Sequence, residues 1–188
     1  MPYPNKRRCV FVGGVHGMGK TSLCARCSEV IEVGHYVASD LIKRFKNLDH
    51  GLYKEVRDVG KNQETLISAI AEFVSHKTYV LDGHFVIRAQ SDGLARIPIQ
   101  TFEALAPLAI IVVVGDVVAA SERIENRDGK LIDIATLDEM QAMEVEHAKT
   151  VASHLGVPCK LFEGDDSVAF TKLANGFMFP AKLTGSGR

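Results

Sequence analysis

Eight residues near the start of the chain, Gly14-Val15-His16-Gly17-Met18-Gly19-Lys20-Thr21, fill every fixed position of the pattern G-x-x-x-x-G-K-[ST]. They directly follow the apolar run Cys9-Val10-Phe11-Val12 and lead into a segment with helical spacing. This arrangement restricts the fold severely. A buried strand must deliver the chain into a glycine-rich turn and a helix must leave it, because only then do backbone N–H groups converge on a phosphate at a helix N-terminus. In that geometry the backbone from Gly14 to Ser22 would wrap the phosphates of a nucleoside triphosphate. Lys20 would reach the β- and γ-phosphates, and the Thr21 hydroxyl would face Mg²⁺. The plain alternative is a strand-to-helix turn that happens to carry glycines and an exposed lysine.

The rest of the chain follows the same grammar. Apolar runs at Arg8–Gly13, Tyr36–Ser39, Thr78–Asp82, Ala109–Gly115 and Cys159–Phe162 read as buried parallel strands. Helical patterns separate them, over Gly19–Val33, Glu64–Val74, Val117 to about Asn126, and Thr136–Leu155, the last with Thr136 as N-cap and Gly156 and Pro158 as stop signals. Strands alternating with helices predict a doubly wound α/β sheet in one domain over residues 1–180, with residues 181–188 as a flexible tail. A chain of 188 residues, 46% hydrophobic, with a net charge of −1, has enough apolar material for one core and no general attraction to nucleic acid. The apolar stretch after Lys6, Arg7 and Arg8 ends at Gly13, too soon for a signal segment, and no run is long enough to span a membrane. Four cysteines, Cys9, Cys24, Cys27 and Cys159, read as reduced thiols of a cytoplasmic protein. The Cys24–Cys27 pair falls on the first helix, where its three-residue spacing suits core packing as well as metal binding.

In a doubly wound sheet the ligand lies beyond the carboxyl ends of the strands. Leu81-Asp82-Gly83-His84-Phe85 ends the third strand in an acid, which would stand beside Thr21 and hold the Mg²⁺ shell. His84 would touch phosphate or acceptor, or serve a structural role. Asp40, in Ser39-Asp40, follows the second strand. With a hydroxyl acceptor it would serve as general base; with a monophosphate acceptor it would orient the ligand or cap the next helix. Arg123 and Arg127 are four apart and share a helix face from which they could close over the β- and γ-phosphates, with Asp128-Gly129-Lys130 as the turn of a short lid. Arg57 and Arg88 are candidates to hold an acceptor phosphate. The loop Gly164-Asp165-Asp166 after the fifth strand is where a nucleotide base edge would lie.

Taken together these stretches resemble the nucleoside monophosphate kinase group of P-loop proteins, and most closely the archaeal type of adenylate kinase. The resemblance runs from about Arg8 to Asp166. It is carried by Gly14 to Thr21, Leu81-Asp82-Gly83-His84-Phe85, the stretch Ile97-Pro98 to Pro107, and Val114-Gly115-Asp116 leading to Arg123 and Arg127. It implies a five-stranded sheet of order 2-3-1-4-5, Mg²⁺-bound ATP as donor, and a nucleoside monophosphate as acceptor. Arg57, in Val56-Arg57-Asp58, falls where that group places a monophosphate-binding arginine. The chain departs from the group in the segment Thr136–Leu155, which holds no arginine and presents Glu144, Glu146 and His147. Two alternatives follow from the same residues. One is a small-molecule hydroxyl kinase with Asp40 as base; the other is an ATP-binding regulatory module with slow ATPase activity. The expected partners are a nucleoside triphosphate, a small acceptor and, compatibly, further copies of the chain.

Overall fold

The structure is a computed structural model that describes residues 7–48, 59–88, 93–129 and 132–180. The chain runs β1 (Arg8–Gly13), α1 (Lys20–Ile31), β2 (Gly34–Val37), α2 (Ala38–Leu48), α3 (Val59–Phe73), β3 (Thr78–Asp82) and a hairpin of β4 (Val86–Arg88) and β5 (Leu94–Arg96). It continues through α4 (Ile99–Leu105), β6 (Ala109–Val114), α5 (Val117–Asp128), α6 (Ile134–Leu155), β7 (Cys159–Glu163) and α7 (Ser167–Met178).

The main sheet has the order β2-β3-β1-β6-β7. Counted by its own strands alone this is 2-3-1-4-5, the order implied by the resemblance. All pairings are parallel, with Val10 opposite Val80, Val12 opposite Ile111, and Tyr36 opposite Leu81. Continuous apolar strands are explained by burial on both faces. Phe11, Leu81, Ile110 and Val112 pack with Leu66, Ile70, Phe102 and Val151 of α3, α4 and α6 on one side. Their neighbours Val10, Val12, Ile111 and Val113 pack with Leu23, Phe170 and Ala174 of α1 and α7 on the other. Cys24 and Cys27 are fully buried in this second layer, and burial raises both thiols above their ordinary range.

Several boundaries differ from the sequence reading, each for a local reason. The second strand spans Gly34–Val37, and Ala38 and Ser39 already belong to α2. Helix α6 begins at Ile134 rather than Thr136, because the Asp133 carboxylate caps it, accepting from Thr136 N at 3.0 Å and from the Thr136 hydroxyl at 3.2 Å. The third helix starts earlier than Glu64, at Val59. The hairpin and the short helix α4 come from Val86–Leu105, a stretch whose apolar residues follow no single period. Among the described residues no helix is long and apolar enough to cross a membrane. Residues 181–188, the predicted tail, lie outside the described part, as do Arg57 and Lys130.

Candidate active site

The turn after β1 is shaped by close backbone approach. Gly14 adopts φ +132°, and a Cβ built there would lie 2.3 Å from the Val113 carbonyl oxygen; at Gly17, φ +81°, the Ala120 carbonyl would be 2.6 Å away. Only glycine fits such positions. Gly19 then starts α1 in a left-handed conformation, with no side chain among the described residues capping the helix. The first-turn N–H groups of α1 therefore remain available to an anion.

Lys20 is 6% exposed and its Nζ donates to the Val15 carbonyl at 3.0 Å, folding the side chain back along the turn. Burial pushes its amine below the usual lysine range, opposed by the carboxylates of Asp82 and Glu144. The Thr21 hydroxyl donates to Asp82 Oδ2 at 2.6 Å, joining the start of α1 to the end of β3. These are two hard oxygen donors side by side, the chemistry that suits a divalent cation of the Mg²⁺ kind. Arg123 NH1 donates to the Gly17 carbonyl at 2.8 Å. Arg127 makes a two-pronged contact with the neighbouring Asp128, 2.8 Å from Nε and 2.7 Å from NH2, which raises its already high pKa.

These residues open onto one cleft of about 480 Å³, lined on the donor side by Gly17, Gly19, Lys20, Thr21, Asp82 and the two arginines. Across the cleft stand Ala38, Ser39 and Ile42 of α2, with His84, Ile87 and Ile97. Behind that wall lies an apolar annex of about 110 Å³, which shares Ala38, Ile42, His84, Ile87 and Ile97 with the cleft and is closed by Phe11, Leu66, Phe102 and Leu105. At its edge the Thr101 hydroxyl is buried without a hydrogen-bond partner among the described residues.

The sequence-derived candidates divide accordingly. Gly17, Gly19, Lys20, Thr21, Ser22, Asp82, His16, His84, Arg123 and Arg127 all line the cleft. Val15 and Met18 instead turn into the core. Asp40 does not line the cleft: α2 begins two residues before it, so its side chain projects to solvent, 70% exposed and 3.8 Å from Lys43. Arg88 stands on the far side of His16 and His84, at a neighbouring cavity that those histidines share with Arg127. The two imidazoles lie against each other, tilted by 44°, with centroids 4.3 Å apart. Desolvation by the cleft wall, with added positive charge from His84, Lys20 and Arg127, pushes His16 down to about 4. Asp166 serves as the N-cap of α7, accepting from Val168 N and Ala169 N.

Glu144 is the largest departure from the sequence reading. Instead of presenting an acidic surface, it is fully buried, and it accepts from the backbone N–H groups of Gly14 at 3.0 Å, Phe85 at 3.0 Å and Val86 at 3.1 Å. His147, also buried, donates from Nε2 to the Ile97 carbonyl at 2.6 Å. The signal was present in the spacing: Leu137, Met140, Glu144, Ala148 and Val151 form one helical stripe, and all five are buried.

A strand feeding a glycine turn, a buried lysine, and a threonine paired with the acid of the adjoining strand define a P-loop nucleotide-binding fold. The chain belongs to the AAA domain family AAA_17, which it matches over residues 13–146. No curated protein matches it in sequence. Among solved structures it is similar to a shikimate kinase from Acinetobacter baumannii in complex with shikimate, at 12% identity and TM-score 0.56, covering 95% of this chain and 97% of that one. It is also similar to a sugar kinase from Janibacter sp., at 16% identity and TM-score 0.55, covering 93% and 97%. A gluconokinase from Sinorhizobium meliloti matches at 15% identity and TM-score 0.50, covering 93% of each. At these identities the likeness is one of fold, and the fold is that of the P-loop kinases.

Proposed function

We propose that the protein is a Mg²⁺-dependent phosphotransferase that moves the γ-phosphoryl group of ATP to a nucleoside monophosphate. The observation that carries this reading is the make-up of the cleft. Its donor side is a glycine-shaped phosphate cradle with Lys20, Thr21 and Asp82, and its acceptor side is apolar apart from Ser39 and His84. Among the described lining residues the single acid is Asp82, which is engaged with Thr21. An acceptor that attacks through an already anionic phosphate oxygen needs no protein base, whereas a hydroxyl acceptor does.

In this reading the backbone from Gly14 to Ser22 holds the donor phosphates, and Lys20 turns from the Val15 carbonyl to the β- and γ-phosphates. Thr21 and Asp82 would hold Mg²⁺, which supplies charge neutralisation when bound. Arg123 and Arg127 stabilise the transferring group, Arg127 after exchanging Asp128 for phosphate oxygens. The acceptor oxygen attacks phosphorus as the bond to the bridging oxygen of ADP breaks. His84, Arg88 and Arg57 would orient the acceptor, and the annex would receive its base. No counterpart of a lid-side arginine from α6 takes part.

The hydroxyl-kinase reading draws support from the shared fold with the shikimate kinase and the gluconokinase, and it requires the Asp40 carboxylate, which here faces solvent, to turn into the cleft and take the proton. The two readings separate on one variant. With a monophosphate acceptor, Asp40→Asn should leave kcat nearly unchanged. With a hydroxyl acceptor it should lower kcat by about 10²–10⁴-fold, through loss of the general base.

A further inference from the structure

We propose that Glu144 is a positioning residue that ties the P-loop to the segment after Asp82, so that the donor cradle and the acceptor wall keep a fixed spacing during transfer. The proposal rests on the phosphotransferase reading of the cleft. Its observation is a polar stripe on α6 at i, i+3 and i+6. Gln141 clasps Gly115 after β6, accepting from its N–H at 3.0 Å and donating to its carbonyl at 3.2 Å. Glu144 takes the N–H of Gly14 after β1 and those of Phe85 and Val86 after β3. His147 takes the Ile97 carbonyl after the hairpin. One helix thus grips the loops at the carboxyl end of the sheet, where the ligand lies.

Stability does not explain the choice of residue. A buried carboxylate costs more to desolvate than a leucine or methionine of similar volume would, and no arginine or lysine contacts it among the described residues. His84 Nδ1, at 3.3 Å from Oε1, is the nearest ionisable partner. What a carboxylate offers here is two oxygens that accept on opposite sides. Oε2 serves Gly14 and Oε1 serves Val86, with Phe85 N–H shared between them. A glutamine of the same shape has one such oxygen and can hold only one of the two loops.

Glu144→Gln is therefore the test, read in two ways. With ATP, Mg²⁺ and each nucleoside monophosphate in turn, kcat with the monophosphate that turns over should fall by about 10²-fold while the calorimetric Kd for ADP stays within about threefold, because misplacing reacting groups by an ångström damages turnover far more than binding. Amide hydrogen exchange by NMR, which needs no turnover, should show protection lost at Gly14 or at Phe85 and Val86, but not at residues of the β1–β6 ladder. If Glu144→Gln does not fold, Glu144→Asp should give the same pattern, since a carboxylate withdrawn by one methylene cannot reach both loops. Wild-type kcat in the variant, or loss of kcat and ADP affinity in equal proportion, would overturn the proposal. So would unchanged protection at all three amides, whether or not the wild-type protein transfers phosphate.

Discussion

The two walls of the cleft are built by different means. The donor wall is made of backbone, from a turn whose glycines are forced by the carbonyls of Val113 and Ala120, and it is wired before any ligand arrives through Thr21–Asp82, Arg123–Gly17 and Glu144–Gly14. The acceptor wall is made of side chains from α2, the hairpin and α4, and it ends in the Thr101 hydroxyl, which has no partner among the described residues. A backbone cradle serves any triphosphate, whereas a side-chain wall is free to vary with the acceptor. On the proposed reading, specificity would therefore reside on the α2 and hairpin side.

That comparison can be broken at either wall. The largest effect is expected at Lys20. Lys20→Ala should fold normally, as followed by circular dichroism, yet lose phosphoryl transfer by about 10²–10³-fold, the scale set by removing one electrostatic donor to a transition state. Full turnover in that variant would remove the donor wall from the chemistry. Gly14→Ala attacks the same wall through strain. A backbone oxygen 2.3 Å from the new Cβ, together with φ +132°, should cost about 2–3 kcal/mol and lower the Tm by roughly 4–12 °C. An unchanged melting curve would mean that the close approach to Val113 is not fixed by the fold.

On the acceptor wall the expected effects are smaller and selective. Thr101→Val removes a hydroxyl that has no partner among the described residues, so thermal stability should hold or rise slightly. The acceptor KM should increase by roughly 2–10-fold, the value of one hydrogen bond, with the Kd for ADP unaffected. A change in ADP binding instead would show that the annex belongs to the donor. The smallest effect concerns His16, between the walls. Its folded pKa of about 4 lies below the ordinary 6.5, so between those values the unfolded chain binds the additional proton. Stability is fully present above about pH 6.5 and falls as the pH drops toward 4, and because His16 is exposed to solvent the slope is shallow. Melting curves between pH 7 and 4.5 should show a shallower decline for His16→Asn than for the wild-type chain.

The same contrast explains what the sequence disclosed. Gly14 to Thr21 and Asp82 were legible because local spacing and strand ends determine them; the strands followed from the apolar runs, and their order from the resemblance alone. Asp40 was legible as a residue after the second strand but not in its direction, since α2 already begins at Ala38 and so carries the side chain out to solvent instead of capping the helix from the loop. The annex was hidden because Phe11, Ile42, Leu66, Ile87 and Phe102 come from five separate elements, and each reads alone as ordinary core. Glu144 was visible on an apolar stripe, but its charge suggested solvent; its partners are backbone N–H groups, which leave no mark in the residue types around them.

The central claim is tested most directly by incubating the pure protein with Mg²⁺ and ATP against each nucleoside monophosphate in turn and separating the nucleotide products by chromatography. The account predicts diphosphate formed from one monophosphate in step with ADP. ADP with free phosphate alone, or phosphate carried to a polyol while every monophosphate is returned unchanged, would contradict it.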